Sequence, residues 1–322
     1  YPAQGDTPSD PHSAFTHLRN YPITGGLVDG PIYAPIFKSL RGVHLTREDV
    51  YAPFQSDYVV YHDDFADYST NEPTMDGTAS LTYYLGYLSG KAIERKVVQG
   101  GIIQGNPQEK KLSLVFTGHE FADGAKMISR TLKKNKVKGS FFLTGDFYRK
   151  YPDITNRLQK EGNYMGPHSD KHLLYADWTR RDSTLVTKEI FEKDLRDNYQ
   201  AMEKSGLKIE EPRYFIPSYE WYNRQISDWA KDLKVQVVNF TPGTGSNADY
   251  TTPDMKSYKS SDTIYNNILR YEEKNTLNGF MLLIHIGTHP DRTDKFYNRL
   301  DDLIKELKTR GYSFVRVDEM MK

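Results

Sequence analysis

Residues 166–172, with the sequence GPHSDKH, follow a short apolar segment and contain two histidines, His168 and His172, four positions apart. Histidines at this spacing lie on one face of a helix, and in a loop they can also converge on one point. Imidazole is a common neutral ligand for zinc, and a catalytic metal site needs about three protein ligands and one open position for water. We therefore expect the chain to supply a third ligand elsewhere, at the end of a strand.

The chain after residue 110 alternates short apolar segments with amphipathic ones. The expected strands cover residues 111–117, 137–144, 164–166, 214–216, 235–240, 280–285 and 312–317, with helices between them. This alternation is typical of parallel strands joined by helices, which is the α/β class. A barrel is favoured over an open sheet because the sequence contains no glycine-rich dinucleotide-binding turn.

Polar residues suited to catalysis stand where these strands end. His119 and Glu120 follow the first strand, His168 and His172 follow the third, and His285 ends the sixth. In a (β/α) barrel the carboxyl ends of the strands meet at one face, where active sites lie. His285 alone could equally be a hydrogen-bonded core histidine. The agreement between several strand ends favours one shared site.

The composition narrows the class of partner. Lys and Arg together number 43, as do Asp and Glu, so no charge excess points to nucleic acid. Cysteine is absent, which excludes disulfides and thiolate chemistry, and no apolar run reaches the roughly 20 residues of a membrane span. The 24 tyrosines suit a carbohydrate partner, because their rings offer an apolar face and a polar edge together.

Residues 1–109 form a different, irregular segment, mainly loop and helix. Residues 25–31 (GGLVDGP), 63–68 (DDFADY) and Asn71-Glu72 resemble the C-terminal end of a family nine glycoside hydrolase, over about residues 11–90. The resemblance implies that Glu72 is a general acid. A glycosidase needs two carboxylates flanking the bond, so this piece is either the tail of a longer hydrolase or a remnant kept for packing. The same carboxylates could also serve only as helix caps.

Residues 110–322 resemble the polysaccharide deacetylases of carbohydrate esterase family four. Residues 168–172 (HSDKH) are similar to the metal motif of that family, residues 282–285 (LLIH) to its late motif, and residues 215–219 (FIPSY) to the motif that walls its groove. The resemblance implies a distorted (β/α) barrel that removes acetyl groups from glycans with a divalent metal, for which we expect zinc. It makes His285 the general acid and His168 and His172 metal ligands.

The first motif of that family departs most in this chain. Where the family has Thr-Phe-Asp-Asp, this sequence has residues 117–120, TGHE. Alignment on the strand end places His119 at the base and Glu120 at the metal ligand. A rival alignment makes Asp123 the ligand and leaves no base. His119 could also bind the metal, with Glu120 as base.

The substrate groove is expected to use Tyr219, Trp221 and Trp178 as stacking surfaces, with Arg213 in place of an arginine that the family carries where Ile216 stands here. Tyr219 and Trp221 could instead be core or groove wall.

The sequence therefore predicts a metal-dependent glycan deacetylase. Two alternatives are a catalytically silent carbohydrate-binding barrel and one part of a larger glycoside hydrolase with an upstream region. The chain begins with Tyr1 rather than Met, which we interpret as removal of an upstream segment, and we expect a secreted or periplasmic protein.

Overall fold

The computed structural model of the chain describes residues 8–21, 26–90 and 95–322. The chain divides into two compact units, Tyr1–Ala92 and Ile93–Lys322. This division precedes residue 110, where the sequence analysis placed the domain boundary. A hairpin before residue 105 belongs with the second unit, because its Ile102 carbonyl accepts from Asn239 N at 2.9 Å and its Ile103 carbonyl accepts from the Thr241 hydroxyl at 2.5 Å.

The first unit consists of short elements joined by loops. They are α1 (Ala14–Arg19), β1 (Leu27–Val28), β2 (Ile32–Tyr33), α2 (Ala34–Ser39), β3 (Val59–Val60), β4 (Pro73–Thr74) and α3 (Met75–Gly90). β1 pairs with β4 and β2 with β3, both antiparallel. This is the irregular segment that the sequence predicts.

Buried aspartates hold the loops of this unit. The carboxylate of Asp63 accepts from the backbone N–H groups of Ser9 and Asp10, and that of Asp64 accepts from those of Thr46 and Arg47. A carboxylate that accepts several backbone N–H groups satisfies donors that a loop would otherwise leave unpaired. These aspartates therefore have a structural use within the first unit. Glu72, the predicted acid, has an exposed side chain, and Gly25 of the resembling motif lies outside the described residues.

The second unit alternates strands and helices. Its strands are β5 (Lys96–Val98), β6 (Gly101–Gln104), β7 (Lys111–Gly118), β8 (Ser140–Leu143), β9 (Tyr164–Pro167), β10 (Arg213–Phe215), β11 (Val235–Val237), β12 (Phe280–His285) and β13 (Ser313–Phe314). Its helices are α4 (Ala125–Lys134), α5 (Gly145–Lys150), α6 (Pro152–Lys160), α7 (Lys188–Lys204), α8 (Arg224–Asp232), α9 (Ser261–Asn275), α10 (Leu300–Thr309) and α11 (Val317–Met320).

Parallel strands form a distorted barrel. One sheet has the order β12-β7-β8-β9, with β13 also pairing with β7, and β10 pairs in parallel with β11. Hydrogen bonds from residues beyond β10 and β11 connect the two sheets: Ile216 N donates to Pro167 O at 3.4 Å, and Thr241 N donates to Met281 O at 3.0 Å. The strands therefore follow one another around the barrel without one continuous ladder, which is the distorted α/β barrel that the sequence predicts.

The core explains why the apolar runs become strands. Every residue of β7 after Lys111 is buried, as expected for a parallel strand covered on both faces. The helices cover the outside of the barrel through one apolar face each. In α4 the buried side chains are spaced at helical intervals, including Ile128 and Leu132. Within the described residues, no helix combines the length and apolarity needed to cross a membrane.

Candidate active site

A cavity of about 620 Å³ opens where β7, β9 and β12 end. Its lining contains most of the predicted site residues: His119, Glu120, His168, His172, His285, Trp178 and Tyr219. The parallel strands bring these residues together because their carboxyl ends lie at one rim of the barrel. These predicted residues therefore lie together around one cavity at this rim.

His168 is fixed by two hydrogen bonds and is 2% exposed. Its backbone N–H donates to Asn198 Oδ1 at 3.0 Å, and its Nδ1 lies 2.9 Å from the carbonyl oxygen of Ile216. A carbonyl oxygen only accepts, so Nδ1 carries the ring proton. Burial lowers the pKa of His168 well below its ordinary value. The ring is therefore neutral, and Nε2 presents a lone pair to the cavity.

The loop after His168 is held in shape by α7. Asp194 accepts from the backbone N–H groups of Asp170 and Lys171 at 2.9 and 3.2 Å. The Asp170 carboxylate in turn binds the guanidinium of Arg149 in a two-pronged pair at 2.8 and 2.9 Å. A Cβ atom on Gly145 would lie 1.7 Å from Asp170 Oδ1, so a glycine is required there. These contacts fix where the second histidine of the motif lies.

His172 closes the loop with a left-handed backbone, at φ 55°. Its ring centroid lies 5.3 Å from that of His168, and the two ring planes are tilted by 57°. The ring of His119 stacks on that of His172 with ring centroids 4.7 Å apart and planes within 7°. Burial, with repulsion from His119 and His285, lowers the pKa of His172 to about 3. Both histidines of the motif are thus neutral near pH 7.

Glu220 is a site residue that the sequence analysis missed. It follows the predicted groove motif directly, lines the cavity, and places Oε1 3.7 Å from Nε2 of His168. Burial raises the pKa of this carboxyl above its ordinary value. Tyr219 and Glu220 both have positive φ, at 60° and 54°, and this turn leaves Tyr219 45% exposed while the Glu220 side chain is only 12% exposed.

His285 is paired with a second residue that the sequence analysis missed. Asp249 lies in a 3-10 turn after β11, and its carboxylate lies 2.6 Å from His285 Nδ1 and accepts from the backbone N–H of His285 at 2.9 Å. Burial alone would lower the pKa of His285, but the attraction of Asp249 outweighs it, so the pKa is raised. The pair therefore holds a proton on Nδ1 and favours the charged ring.

The other predicted ligands have different surroundings. Glu120 lines the cavity with an exposed side chain. Asp123 lines a separate cavity, where its carboxylate accepts from Tyr297 Oη at 2.8 Å and Thr288 N at 3.0 Å and lies 3.1 Å from Lys295 Nζ. The structure does not bring Asp123 to the histidines, because these three partners hold its carboxylate on the other side of the loop.

The aromatic residues beside the histidines differ in their exposure to solvent. Trp178, which is 54% exposed, contacts Tyr219 edge-on at 5.7 Å and stacks on Trp221 at 5.6 Å. Trp221 is partly buried, with the Arg181 guanidinium 4.2 Å from its ring centroid. Arg213 is not brought to the cavity. It begins β10, at the amino end of the strand, and binds Glu211 at 2.9 Å.

The donor types at the site fit a divalent ion of the zinc class. Two neutral imidazoles, one with its far nitrogen fixed by a carbonyl, and a buried carboxylate are the groups that such an ion prefers. Among the described residues, no three His, Asp or Glu side chains are already arranged to hold one ion together. The site is therefore suited to a metal by its chemistry rather than closed around one point.

Comparison with known families identifies the two parts of the chain. Residues 104–238 match the sequence model of the polysaccharide deacetylase family, and residues 3–85 match that of glycosyl hydrolase family 9. Residues 104–238 are a polysaccharide deacetylase domain. Both resemblances drawn from the sequence are confirmed.

Several curated relatives of the deacetylase domain are named as peptidoglycan deacetylases. The peptidoglycan-N-acetylmuramic acid deacetylase PdaA of Bacillus subtilis is 27% identical over 221 residues, which is 67% of this chain and 73% of PdaA. A peptidoglycan-N-acetylglucosamine deacetylase of Bacillus cereus is 28% identical over 194 residues, covering 59% of this chain and 61% of that protein.

Solved structures support the fold of the deacetylase domain. PdaA of Bacillus subtilis, a family 4 carbohydrate esterase, superposes with a TM-score of 0.54 at 22% identity, over 71% of this chain and 95% of that one. A CE4 family pseudoenzyme from Bacillus anthracis gives a TM-score of 0.56 at 18% identity, over 70% of each chain. The distorted barrel is thus shared by proteins described as enzymes and by one described as a pseudoenzyme.

Proposed function

We propose that this chain hydrolyses acetyl groups, N- or O-linked, on a glycan bound in the cavity at the strand ends. The observation that carries the proposal is the convergence of the fixed, neutral His168 and the Asp249-paired His285 on one cavity. Metal-assisted deacetylation uses a ligand that offers a lone pair and an acid that delivers a proton, and these two histidines can fill both roles.

The chain's residues divide the work as follows. His168 and His172 would hold a divalent metal, most simply zinc, which when bound polarises the acetyl carbonyl and makes its water more acidic. His119, beside His172, would take the proton of the attacking water. His285, charged through Asp249, would deliver a proton to the leaving amine or alkoxide. Trp178 and Tyr219 offer exposed rings on which a sugar can stack.

The proposal extends to substrate and location. Two of the curated relatives, from Bacillus subtilis and Bacillus cereus, are named for acetylated amino sugars of peptidoglycan, so a polymer of N-acetylated sugars is the first substrate class to test. Such polymers lie outside the cytoplasmic membrane, and we place the protein there, as secreted or periplasmic.

A second candidate function is a carbohydrate-binding barrel without catalysis. The observation that favours it is the strand end itself, where residues 117–120 lack both aspartates of the family motif. The intact His285–Asp249 pair favours the enzyme, since a binding module has no use for a charged histidine at the reaction centre. The first unit, which matches glycosyl hydrolase family 9, would contribute to a glycosidase only with a second carboxylate from outside residues 3–85.

The test is acetate release from a panel of acetylated peptidoglycan fragments, chitooligosaccharides and xylooligosaccharides. The purified chain is stripped with a chelator, assayed, reloaded with zinc and assayed again, and His285→Ala is carried through as the matched inactive variant. Release that depends on zinc and on His285 supports the deacetylase. Zinc bound with no release from any substrate would favour the silent barrel.

A further inference from the structure

Where its family has two aspartates, the deacetylase domain keeps only one carboxylate at the end of β7, that of Glu120. Gly118 and His119 follow Thr117 there, and the next acidic residue, Glu120, has an exposed side chain. A site with two histidine ligands still needs a further ligand, and an anionic one stabilises a divalent ion most. We therefore searched the cavity for a carboxylate that faces one of the two histidines.

Glu220 and His168 face each other in a way that calls for a cation between them. Nδ1 of His168 is occupied by the Ile216 carbonyl, so the nitrogen that faces Oε1 of Glu220 carries a lone pair. The separation of 3.7 Å is too long for a hydrogen bond. Two ligands of one tetrahedral zinc ion lie about 3.4 Å apart, given bonds of about 2.0–2.2 Å. The distance between Nε2 of His168 and Oε1 of Glu220 is therefore close to that between two ligand atoms of one zinc ion.

The geometry of the two histidines agrees with this position. Two imidazoles bound to one tetrahedral ion have ring centroids about 5.2 Å apart. The centroids of His168 and His172 are 5.3 Å apart, and their planes are tilted. The spacing of the two rings therefore allows an ion held by His168 and Glu220 to bind His172 as well. Side-chain rotation is needed to close the three around one point, because they are not yet arranged to hold an ion together.

The rival ligands are excluded by their own contacts. A nitrogen lone pair lies in the plane of its ring, so two rings that stack on each other do not direct their lone pairs to one ion. His119 stacks on His172 with planes within 7°, which makes His119 a neighbour of the ion rather than a partner ligand. Asp123 is held in a separate cavity by Tyr297 and Lys295.

The backbone around Glu220 is built to aim this side chain inward. Two consecutive non-glycine residues in the left-handed region are rare, and they persist only where surrounding contacts hold them. Here the Glu220 carbonyl accepts from Asn239 Nδ2 at 2.7 Å, its N–H donates to Pro217 O at 3.0 Å, and the Ser218 hydroxyl donates to the carbonyl of Leu173 in the histidine loop. The turn is thereby fastened to the loop that carries His172.

We propose that Glu220 is the anionic metal ligand of this domain, replacing the strand-end carboxylate of the family with one from the turn after β10. The inference rests on the proposed function for its metal and extends it to the ligand set His168, His172 and Glu220. The carboxylate thus approaches the ion from a different strand of the barrel.

The experiment measures zinc affinity rather than turnover. The full chain is stripped with a chelator and titrated with zinc against a chromophoric competitor, as wild type, Glu220→Gln, Glu120→Gln and Asp291→Asn. Glu220→Gln keeps the shape of the side chain and removes its charge. Asp291, which lines the cavity with a side chain 75% exposed, controls for the loss of one negative charge near the ion.

We expect Glu220→Gln to weaken zinc binding at least ~100-fold, as loss of a direct ligand should exceed the roughly 10–100-fold effect of an outer-shell residue. Asp291→Asn and Glu120→Gln should stay within about threefold of wild type. The visible spectrum of the cobalt-loaded protein should also change in Glu220→Gln, because the ligand field loses an oxygen. Unfolding curves of the metal-free proteins show whether each variant is folded.

Zinc binding by Glu220→Gln equal to that of wild type, or a loss confined to Glu120→Gln, would overturn the assignment, as would a wild-type chain that binds no zinc. The outcome is separable from that of the proposed function. Acetate release with undiminished zinc affinity in Glu220→Gln refutes the ligand and keeps the deacetylase. Zinc held through Glu220 without acetate release keeps the ligand and refutes the deacetylase.

Discussion

Acid should destabilise the deacetylase domain through the buried His168 and the partly buried His172, and the size of the effect can be worked out for His172. Its pKa is about 3 in the folded chain and about 6.5 when unfolded. The folded pKa is depressed, so stability is complete above the unfolded pKa and is lost as pH falls below it. Between about pH 7.5 and about pH 5.5 the unfolded histidine takes up a proton that the folded one does not, which costs about 1.4 kcal/mol.

The comparison that isolates this effect is His172→Asn, since asparagine tolerates the left-handed backbone at φ 55°. Urea unfolding is followed by tryptophan fluorescence, with a chelator present because metal binding has its own pH dependence. All three tryptophans, at 178, 221 and 229, lie in the second unit, so the signal reports that unit.

Wild type should lose about 1.4 kcal/mol more than His172→Asn over this pH range. His289→Asn is the matched control, since the His289 side chain is 53% exposed and meets water before and after unfolding. Equal pH responses in wild type and His172→Asn would refute the conclusion that His172 is held neutral by burial.

Variants of Asp249, His285 and Gly145 test the contacts around the site. Asp249→Asn removes the carboxylate that raises the pKa of His285, so the alkaline limb of the pH–rate profile should move to lower pH; an unmoved limb would argue against His285 as the acid. His285→Ala should abolish acetate release and leave zinc affinity within about threefold of wild type, whereas lost zinc binding would make it a ligand. Gly145→Ala places a Cβ 1.7 Å from Asp170 Oδ1 and should lower the free energy of unfolding, measured in urea, by about 1–3 kcal/mol. An unfolding midpoint equal to that of wild type would mean that the loop after His168 adjusts to the added methyl group without cost.

The sequence predicts the barrel strands well where they are continuous apolar runs. β12 (Phe280–His285) has the predicted bounds, and β7 extends the predicted strand by one residue. The strand predicted over residues 235–240 is too long. The observed β11 ends at Val237, and Val238 instead forms a bridge to Ile102 of the hairpin. The hairpin β5–β6 was not expected, although Gln99 and Gly100, both with positive φ, form its turn.

The family motifs predict cavity residues that lie within short stretches of sequence. They do not predict residues that reach the cavity only through the tertiary fold. Glu220 stands one residue past the motif that was compared, and only its left-handed turn shows that its side chain points inward. Asp249 is 36 residues from His285 along the chain and meets it only because the loop after β11 folds over the end of β12. Tertiary packing decides which residues meet over such long separations along the chain, and the sequence spacing alone does not indicate it.

The left-handed backbone conformation of Tyr219 and Glu220 lowers the stability of the domain. Each non-glycine residue in this region costs about 1–2 kcal/mol of stability relative to an ordinary conformation. Replacement by glycine would remove that cost, and it would also remove a cavity-lining ring or the buried carboxylate. Selection of random variants for thermal stability alone should therefore enrich glycine at these two positions. Conversely, a lineage that keeps both side chains has given up stability at this turn in favour of its chemistry.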